Sequence, residues 1–411
     1  MPASVAIVGA GPSGCYLAQA LLKARPGLKV DLIDRLPVPY GLVRYGVAAD
    51  HQGTKAITRQ FERLFERQGA GFIGNLAVGE DIALDDLRAA YDAVVLAAGL
   101  SADRRLGIPG EGLAGVAGAG AVTRALNEHP DAAPLPPLGR HVIVMGNGNV
   151  AIDLIRLLAK GADELAGTDL GPGPTAWLTA APVETITIVG RSAAAQARFD
   201  PVMVKELHRL SHAAIRVENP GTAADAEGQK RLDALAAIDG TGQGPRRIVF
   251  RFGLTPVALE GEGGRIAAVR FRDGAGAEVT LPCDTFLTAI GFDGCANLSR
   301  DALLAAAPDR AAGVLGPGLY ATGWFRRGPR GTIPDNRADA QALAARILAD
   351  LGDGDGGRPG LGPAAGRVDH AGWMRIDAAE IARAPADRCR RKVADRQEML
   401  TLALQTEENA G

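Results

Sequence analysis

The sequence predicts an α/β protein built from two doubly wound, parallel-sheet units. Three observations carry that expectation. Two glycine-rich turns each lie between an apolar strand run and an apolar-periodic helix, and a further set of short apolar runs ends in glycine. A length of 411 residues is enough for two domains of ordinary size, each with its own core. With 47% hydrophobic residues, 54 glycines and only 4% aromatics, the chain reads as an Ala/Gly-rich globular protein rather than a disordered one.

The first unit opens with the strand run SVAIVGAG, Ser4 to Gly11, which passes through Gly9, Gly11, Pro12, Ser13 and Gly14 into the helical pattern CYLAQALLKA. Gly9 permits the tight turn, Gly11 lets the backbone approach a pyrophosphate, and Gly14 lets the helix pack close to the strand. The start of the helix, with Pro12 fixing its first position and Ser13 following, offers free N–H groups and a partial positive charge to phosphates. A second strand, KVDLID, ends at Asp34, twenty residues beyond Gly14, with Arg35 beside it. An acid at that place accepts ribose hydroxyls, so strand, turn, helix and acid together make the full dinucleotide-binding, Rossmann-like fingerprint.

The second unit opens with HVIVMGNGNVAIDLIRLLAKG. Gly146, Asn147, Gly148, Asn149 and Val150 form its turn, and Ala151 stands at the third glycine position, where a methyl is tolerated. The next strand, ETITIVG, ends at Arg191 and Ser192, so a cation holds the place that an acid holds in the first unit. Free ribose hydroxyls call for an acceptor and a 2′-phosphate calls for an arginine. The first site therefore reads as FAD and the second as NADP(H), with NAD(H) remaining open. The segment Gly161 to Pro182 stretches the second unit beyond the minimal spacing.

The runs Tyr91 to Gly99, Cys283 to Phe292 and Gly318 to Trp324 read as buried parallel strands that open towards a ligand at their carboxyl ends. After the last comes GTIPDNRADAQALAARILADL, a loop-to-helix transition at Gly331, Thr332 and Ile333. The N-terminus of such a helix suits the electron-rich pyrimidine edge of a flavin. Residues 352–366 read as a flexible linker, the following two helical patterns as part of the first unit, and the closing TEENAG as disordered.

A net charge of −2 supplies no global field for nucleic acid or an anionic membrane. There is no apolar run long enough to span a bilayer and no signal-peptide pattern, which predicts a cytoplasmic protein without membrane association. Cys15, Cys283, Cys295 and Cys389 are scattered, which argues against a zinc site, a disulfide framework and a neighbouring redox dithiol. No metal ligands are expected.

The segment LPVPYGLVRYGVAADH, Leu36 to His51, resembles the stretch after the first βα turn in adrenodoxin reductase and related bacterial ferredoxin–NADP reductases. The stretches GNGNVAIDLIRLL, VGRS, LYATGWFRRGPRGTI and AGWMRIDAAE follow in that family's order, so the resemblance covers nearly the whole chain. It implies a two-domain flavoenzyme, with an FAD domain of residues 1–107 and 317–411 and an inserted NADP(H) domain of residues 108–316. Electrons would pass from NADPH through FAD, one at a time, to a ferredoxin-like iron–sulfur protein. By similarity, Gly41, Leu42, Val47, Trp324, Gly331, Thr332 and Ile333 join Gly9, Gly11, Gly14 and Asp34 in FAD binding. Gly146, Asn147, Asn149, Val150, Arg191 and Ser192 fall in the NADP(H) site, and His51 matches the family histidine close to the flavin.

This chain departs from the family at three positions. Ser192 stands where the family has a second arginine, Met203 where it has a glutamate, and Asp34 where it usually has glutamate. Arg198 is a further cation in the same stretch. Arg326, Arg327 and Arg330, with Arg246, Arg247 and Arg251, are local basic clusters suited to steering an acidic ferredoxin. Hydride transfer between nicotinamide and flavin needs positioning rather than a triad, which leaves His51 as the candidate for proton management. Among competing readings, a disulfide reductase lacks its cysteine pair and a nucleotide sensor has no need of two full fingerprints. A flavin monooxygenase or oxidase acting on a small molecule is the alternative.

Overall fold

Val5, Ala6, Ile7 and Val8 are buried on both faces of their strand, as the uninterrupted apolar run requires. In the computed structural model, which describes residues 1–294, 297–352 and 357–405, this strand lies inside a six-stranded sheet. The strand order is Val314–Gly316, Leu319–Ala321, Ala93–Leu96, Ser4–Val8, Lys29–Ile33, Gly71–Ile73. All neighbours are parallel except the outermost pair at Val314–Gly316. Val5 is opposite Val30 on one side and Ala93 on the other. Strand order therefore reverses beside Ser4–Val8, and its carboxyl end is the switch point where such sheets bind ligands. The helices Pro12–Ala24 and Ile333–Leu351 cover this sheet, and Leu17, Leu21, Leu343 and Ile347 share one core with Val5, Ile7 and Val30.

A second six-stranded sheet has the order Val116–Gly118, Thr285–Thr288, His141–Met145, Thr185–Gly190, Arg246–Phe252, Ala213–Glu218, all parallel. Its order reverses beside His141–Met145, so the second glycine turn also leaves a switch point. A three-stranded antiparallel sheet, Thr255–Glu262, Arg265–Arg272 and Glu278–Pro282, belongs to the same unit. The alternation of RIAAVRFR between glycine-containing turns encodes it. The stretch 161–182 is not an open linker, because it folds into the short helices Ala162–Leu165 and Pro172–Thr179.

The chain divides into two units: Met1–Val47, His51–Ala102 and the described residues of Phe292–Gly411 form the first, and Ala48–Asp50 with Asp103–Gly291 form the second. The insertion expected from sequence is present, but its edges differ from 107/108 and 316/317. Leu304 and Leu315 are buried with Ala6, Val8 and Leu96 in a core of the first unit, which draws the second boundary back to Gly291/Phe292. Asp103 accepts the N–H groups of Gly120 (2.7 Å) and Ala121 (2.8 Å), which assigns it to the second unit. Part of the glycine-rich stretch 352–366 also behaves differently from a flexible linker. Gly357 N–H donates to Met1 O at 3.0 Å, Arg358 N–H to Asp92 at 3.0 Å, and Lys29 Nζ to Pro359 O at 2.6 Å. Residues 353–356 of that stretch, and the TEENAG tail, lie outside the described residues. No helix among the described residues is long and apolar enough to cross a membrane.

Candidate functional site

Both glycine turns are built in the same way. Gly9 N–H donates to Ile33 O at 2.7 Å, and Gly146 N–H donates to Val189 O at 2.8 Å. Gly9 and Gly146 have φ of 112° and 126°, a region that strongly favours glycine. A Cβ on Gly9 would meet Ala97 O at 2.5 Å, and one on Gly146 would meet Ala289 O at 2.2 Å. Ala97 and Ala289 close the apolar runs that the sequence marks as parallel strands, so those runs wall the turns. The space ahead of each turn is open. A Cβ on Gly148 would meet nothing within 4 Å, and one on Gly11 only the Cα of Gly41, at 3.9 Å.

The helices behind the turns, Pro12–Ala24 and Asn149–Ala159, have no side-chain cap and no acid in the first turn. Elsewhere Asp200, Asp225, Asp369 and Asp395 cap their helices. Two helix N-termini are thus left with donors and partial positive charge facing open space, the arrangement that takes phosphate. The helix at Ile333 differs. Asp335 accepts the Thr332 N–H at 2.6 Å, and that bond holds its carboxyl below the usual carboxylate range. An acid in the first turn offsets part of the positive end expected there.

Around the first turn, Tyr40 N–H donates to Ala10 O at 2.8 Å, and Tyr40 has φ of 79°, rare for an aromatic residue. Gly41 then passes over Gly11, and Leu42 stands exposed at the start of the short helix Leu42–Tyr45. Val47 N–H returns to Leu42 O at 2.7 Å. Asp34 lies behind the turn and accepts Ala10 N–H and Leu36 N–H, each at 3.0 Å. Burial pushes its carboxyl above the ordinary value, and these two donors only partly offset the rise. Each oxygen retains a lone pair for a further donor. Arg35 beside it accepts from Arg396 through its carbonyl at 3.1 Å.

Ser13 Oγ donates to Asn336 Oδ1 at 3.1 Å, which ties the first turn to the helix Ile333–Leu351. Trp324 stacks on Phe292 with ring centroids 5.6 Å apart, and its Nε1 is buried without a partner among the described residues. His51 is half-buried and precedes the helical turn Gln52–Lys55, its carbonyl accepting from Thr54 and Lys55 N–H at 3.1 Å each. In the second unit the Asn147 Nδ2, beside Gly190, is likewise buried without a partner among the described residues. Arg191 is exposed at the end of its strand, and Ser192 O accepts Gly253 N–H at 3.2 Å. Val150 packs against the core of its unit. These orphaned donors and open turns fit a dinucleotide in each unit.

A family model for pyridine nucleotide-disulphide oxidoreductases matches residues 3–314. The chain belongs to that family. Cindoxin reductase of Citrobacter braakii is 43% identical over 97% of this chain and 91% of its own length. The mitochondrial NADPH:adrenodoxin oxidoreductase of Arabidopsis thaliana is 32% identical over 92% and 90%. The structure of Mycobacterium tuberculosis FprA in complex with NADPH superposes with a TM-score of 0.90 at 31% identity, covering 98% of this chain and 100% of that one. Within the family, the chain is a reductase of the adrenodoxin reductase type.

As a pyridine nucleotide-disulphide oxidoreductase this chain has no paired cysteines among the described residues. Cys15 and Cys283 are buried free thiols in different units, and Cys389 is exposed. Burial pushes Cys15 well above the usual thiol range and Cys283 up to about 12, so neither is a thiolate near neutral pH. Cys295 lies outside the described residues.

Several residues that shape the site escaped the sequence reading. Asp339 gathers Thr322 Oγ1 and Gly323 N–H, each at 2.8 Å, and pairs with Arg326 and Arg327. Burial alone would raise its carboxyl, but these donors outweigh it and hold it down. Asn336 binds Ser13, Arg327 and Thr332 O. Its signal is a polar residue on the buried stripe Ala340, Leu343, Ala344, Ile347. Two basic clusters also shrink. Arg246 donates to Leu158 O (2.7 Å) and Lys160 O (2.8 Å), and Arg251 lies 2.9 Å from Glu218. Arg247 and Arg330 remain exposed.

Proposed function

We propose that this chain carries electrons from NADPH through FAD to a ferredoxin-like iron–sulfur protein. The observation that carries the reading is the contrast between two otherwise matching turns, one backed by Asp34 and the other flanked by Arg191. An acceptor at the ribose position suits FAD, and a cation there suits the 2′-phosphate of NADP(H). The names of the relatives point the same way.

FAD, when bound, takes up two electrons as a hydride and releases them singly to the iron–sulfur partner. The protein's own groups bind and orient. Gly9 and Pro12 shape the turn from which Gly11, Ser13 and Gly14 present N–H groups to the FAD pyrophosphate, and Asp34 accepts a ribose hydroxyl with Arg35 beside it. Gly41, Leu42 and Val47 line the same side, Leu42 supplying apolar cover. Trp324 offers its Nε1, and Gly331 and Ile333 present backbone N–H groups on either side of Thr332, whose own N–H is held by Asp335. His51 manages a proton near the ring. In the second unit Gly146, Asn147, Gly148, Asn149 and Val150 receive the NADP(H) pyrophosphate, and Arg191 with Ser192 receives the 2′-phosphate.

The direct test is anaerobic bleaching of the bound flavin by NADPH, followed by cytochrome c reduction with and without an added ferredoxin. Bleaching with ferredoxin-dependent reduction is expected. A protein that bleaches but ignores every ferredoxin acts on another acceptor.

A further inference from the structure

Other cations of the second unit are engaged by the protein itself: Arg246 by carbonyls at the far end of the helix Asn149–Ala159, Arg251 by Glu218, and Arg156 by Asp50 at 2.8 Å. Arg191 and Arg198 are both exposed, and neither side chain has a partner among the described residues. Both flank Asn147. Gly190, just before Arg191, lies so close that a Cβ there would be 2.4 Å from Asn147 Nδ2. Arg198 donates its N–H to Asn147 O at 3.1 Å and forms a parallel bridge with Gly148.

The backbone at Arg198 is also fixed from both sides. Ala197 and Phe199 are buried in the core of the unit, and Asp200 N–H donates to Asn149 Oδ1 at 2.7 Å. The Asp200 carboxylate, the nearest acid in sequence, accepts Val202 N–H at 2.8 Å as a helix cap. The segment after Arg191 thus folds back onto the glycine turn and anchors a second exposed cation beside it, so Arg191 and Arg198 stand on either side of Asn147, where a phosphorylated coenzyme needs charge.

We infer that Arg198 is a specificity residue for the coenzyme, supplying the second cation of the 2′-phosphate subsite that Ser192 does not provide. The inference rests on the second unit binding NADP(H). Its test is calorimetric titration of the flavin-loaded protein with 2′,5′-ADP and with 5′-AMP, for wild type, R198A, R198K and R191A. R198A should weaken 2′,5′-ADP by about 10- to 100-fold while leaving 5′-AMP unchanged, and R198K should recover most of the loss. If R198A binds 2′,5′-ADP as wild type does while R191A loses it, Arg198 has no such role although the coenzyme site stands. Equal weakening of both ligands by R198A makes the residue merely structural and also overturns the inference. A wild type that does not prefer 2′,5′-ADP over 5′-AMP removes the coenzyme reading itself.

Discussion

At Gly14 a Cβ would sit 2.0 Å from Gly9 O, whereas the corresponding Ala151 is fully buried with its methyl accommodated. The two turns share a pattern but not a tolerance. Gly14→Ala forces the helix off the strand, at a cost of about 1–3 kcal/mol, and the protein should purify with most of its flavin absorbance missing. Ala151→Gly costs only about 0.5–1 kcal/mol and should leave the KM for NADPH nearly unchanged. His51→Ala tests the proton role. Hydride transfer itself needs no acid or base, so turnover should fall by less than the roughly hundredfold typical of an essential general base, with flavin retained. A variant that loses its flavin assigns His51 to holding the loop. The glycines were legible because their spacing follows from local backbone sterics. The Ala10 N–H donor to Asp34 was not, since it lies 24 residues away, whereas the Leu36 donor is a local turn contact two residues on.

At the scale of elements, the loop over the first turn is held from below by an ion pair invisible in the sequence. Arg44 donates to Glu380 on the helix His370–Ala382, at 3.0 Å through one nitrogen and closer through the other, and Arg390 reaches Glu380 at 2.8 Å. Arg44 also lies over the rings of Tyr45 and Trp373, 5.0 and 5.2 Å from their centroids. Burial would raise the Glu380 carboxyl, but Arg44 and Arg390 hold it below the usual range. Removing one partner leaves a buried charge, so Glu380→Ala should destabilise the first unit by about 3–5 kcal/mol, measured by urea unfolding. A carboxyl depressed in the folded state adds stability that is complete above about pH 5 and lost as pH falls through the folded-state value. Asp50, which Arg156 and Lys160 hold down against the effect of burial, acts in the same direction. The unfolding midpoint should therefore hold steady above about pH 5 and fall progressively as pH drops below that, and Glu380→Gln should flatten that slope. Helical periodicity revealed His370–Ala382 as a helix, but a contact between positions 44 and 380 has no local signature. The helix within 172–179 and the antiparallel strands within 255–282 do carry local signatures, a proline at the helix start and the alternation of RIAAVRFR.

For the whole molecule, the two-unit organisation was legible because each unit repeats a local rule, strand then glycine turn then helix. The exact edges were not, because they depend on which core Leu304 and Leu315 join. The basic clusters show the limit of composition. Arg246, Arg251, Arg326 and Arg327 are mostly engaged internally, leaving fewer exposed cations to steer an acidic partner than the sequence counts. Reduction of an acidic ferredoxin should still slow as salt rises, with a shallow dependence visible in kcat/KM across ionic strength. A rate indifferent to salt would place docking on an uncharged surface. The central claim is that Asp34 and Arg191 divide the two sites between FAD and NADP(H). It is tested most directly by anaerobic stopped-flow reduction of the bound flavin by NADPH and by NADH, in wild type and Arg191→Ala. NADPH should reduce the wild-type flavin with much the lower Kd, and Arg191→Ala should erase that advantage while leaving NADH unaffected. NADH working as well as NADPH in the wild type would contradict it.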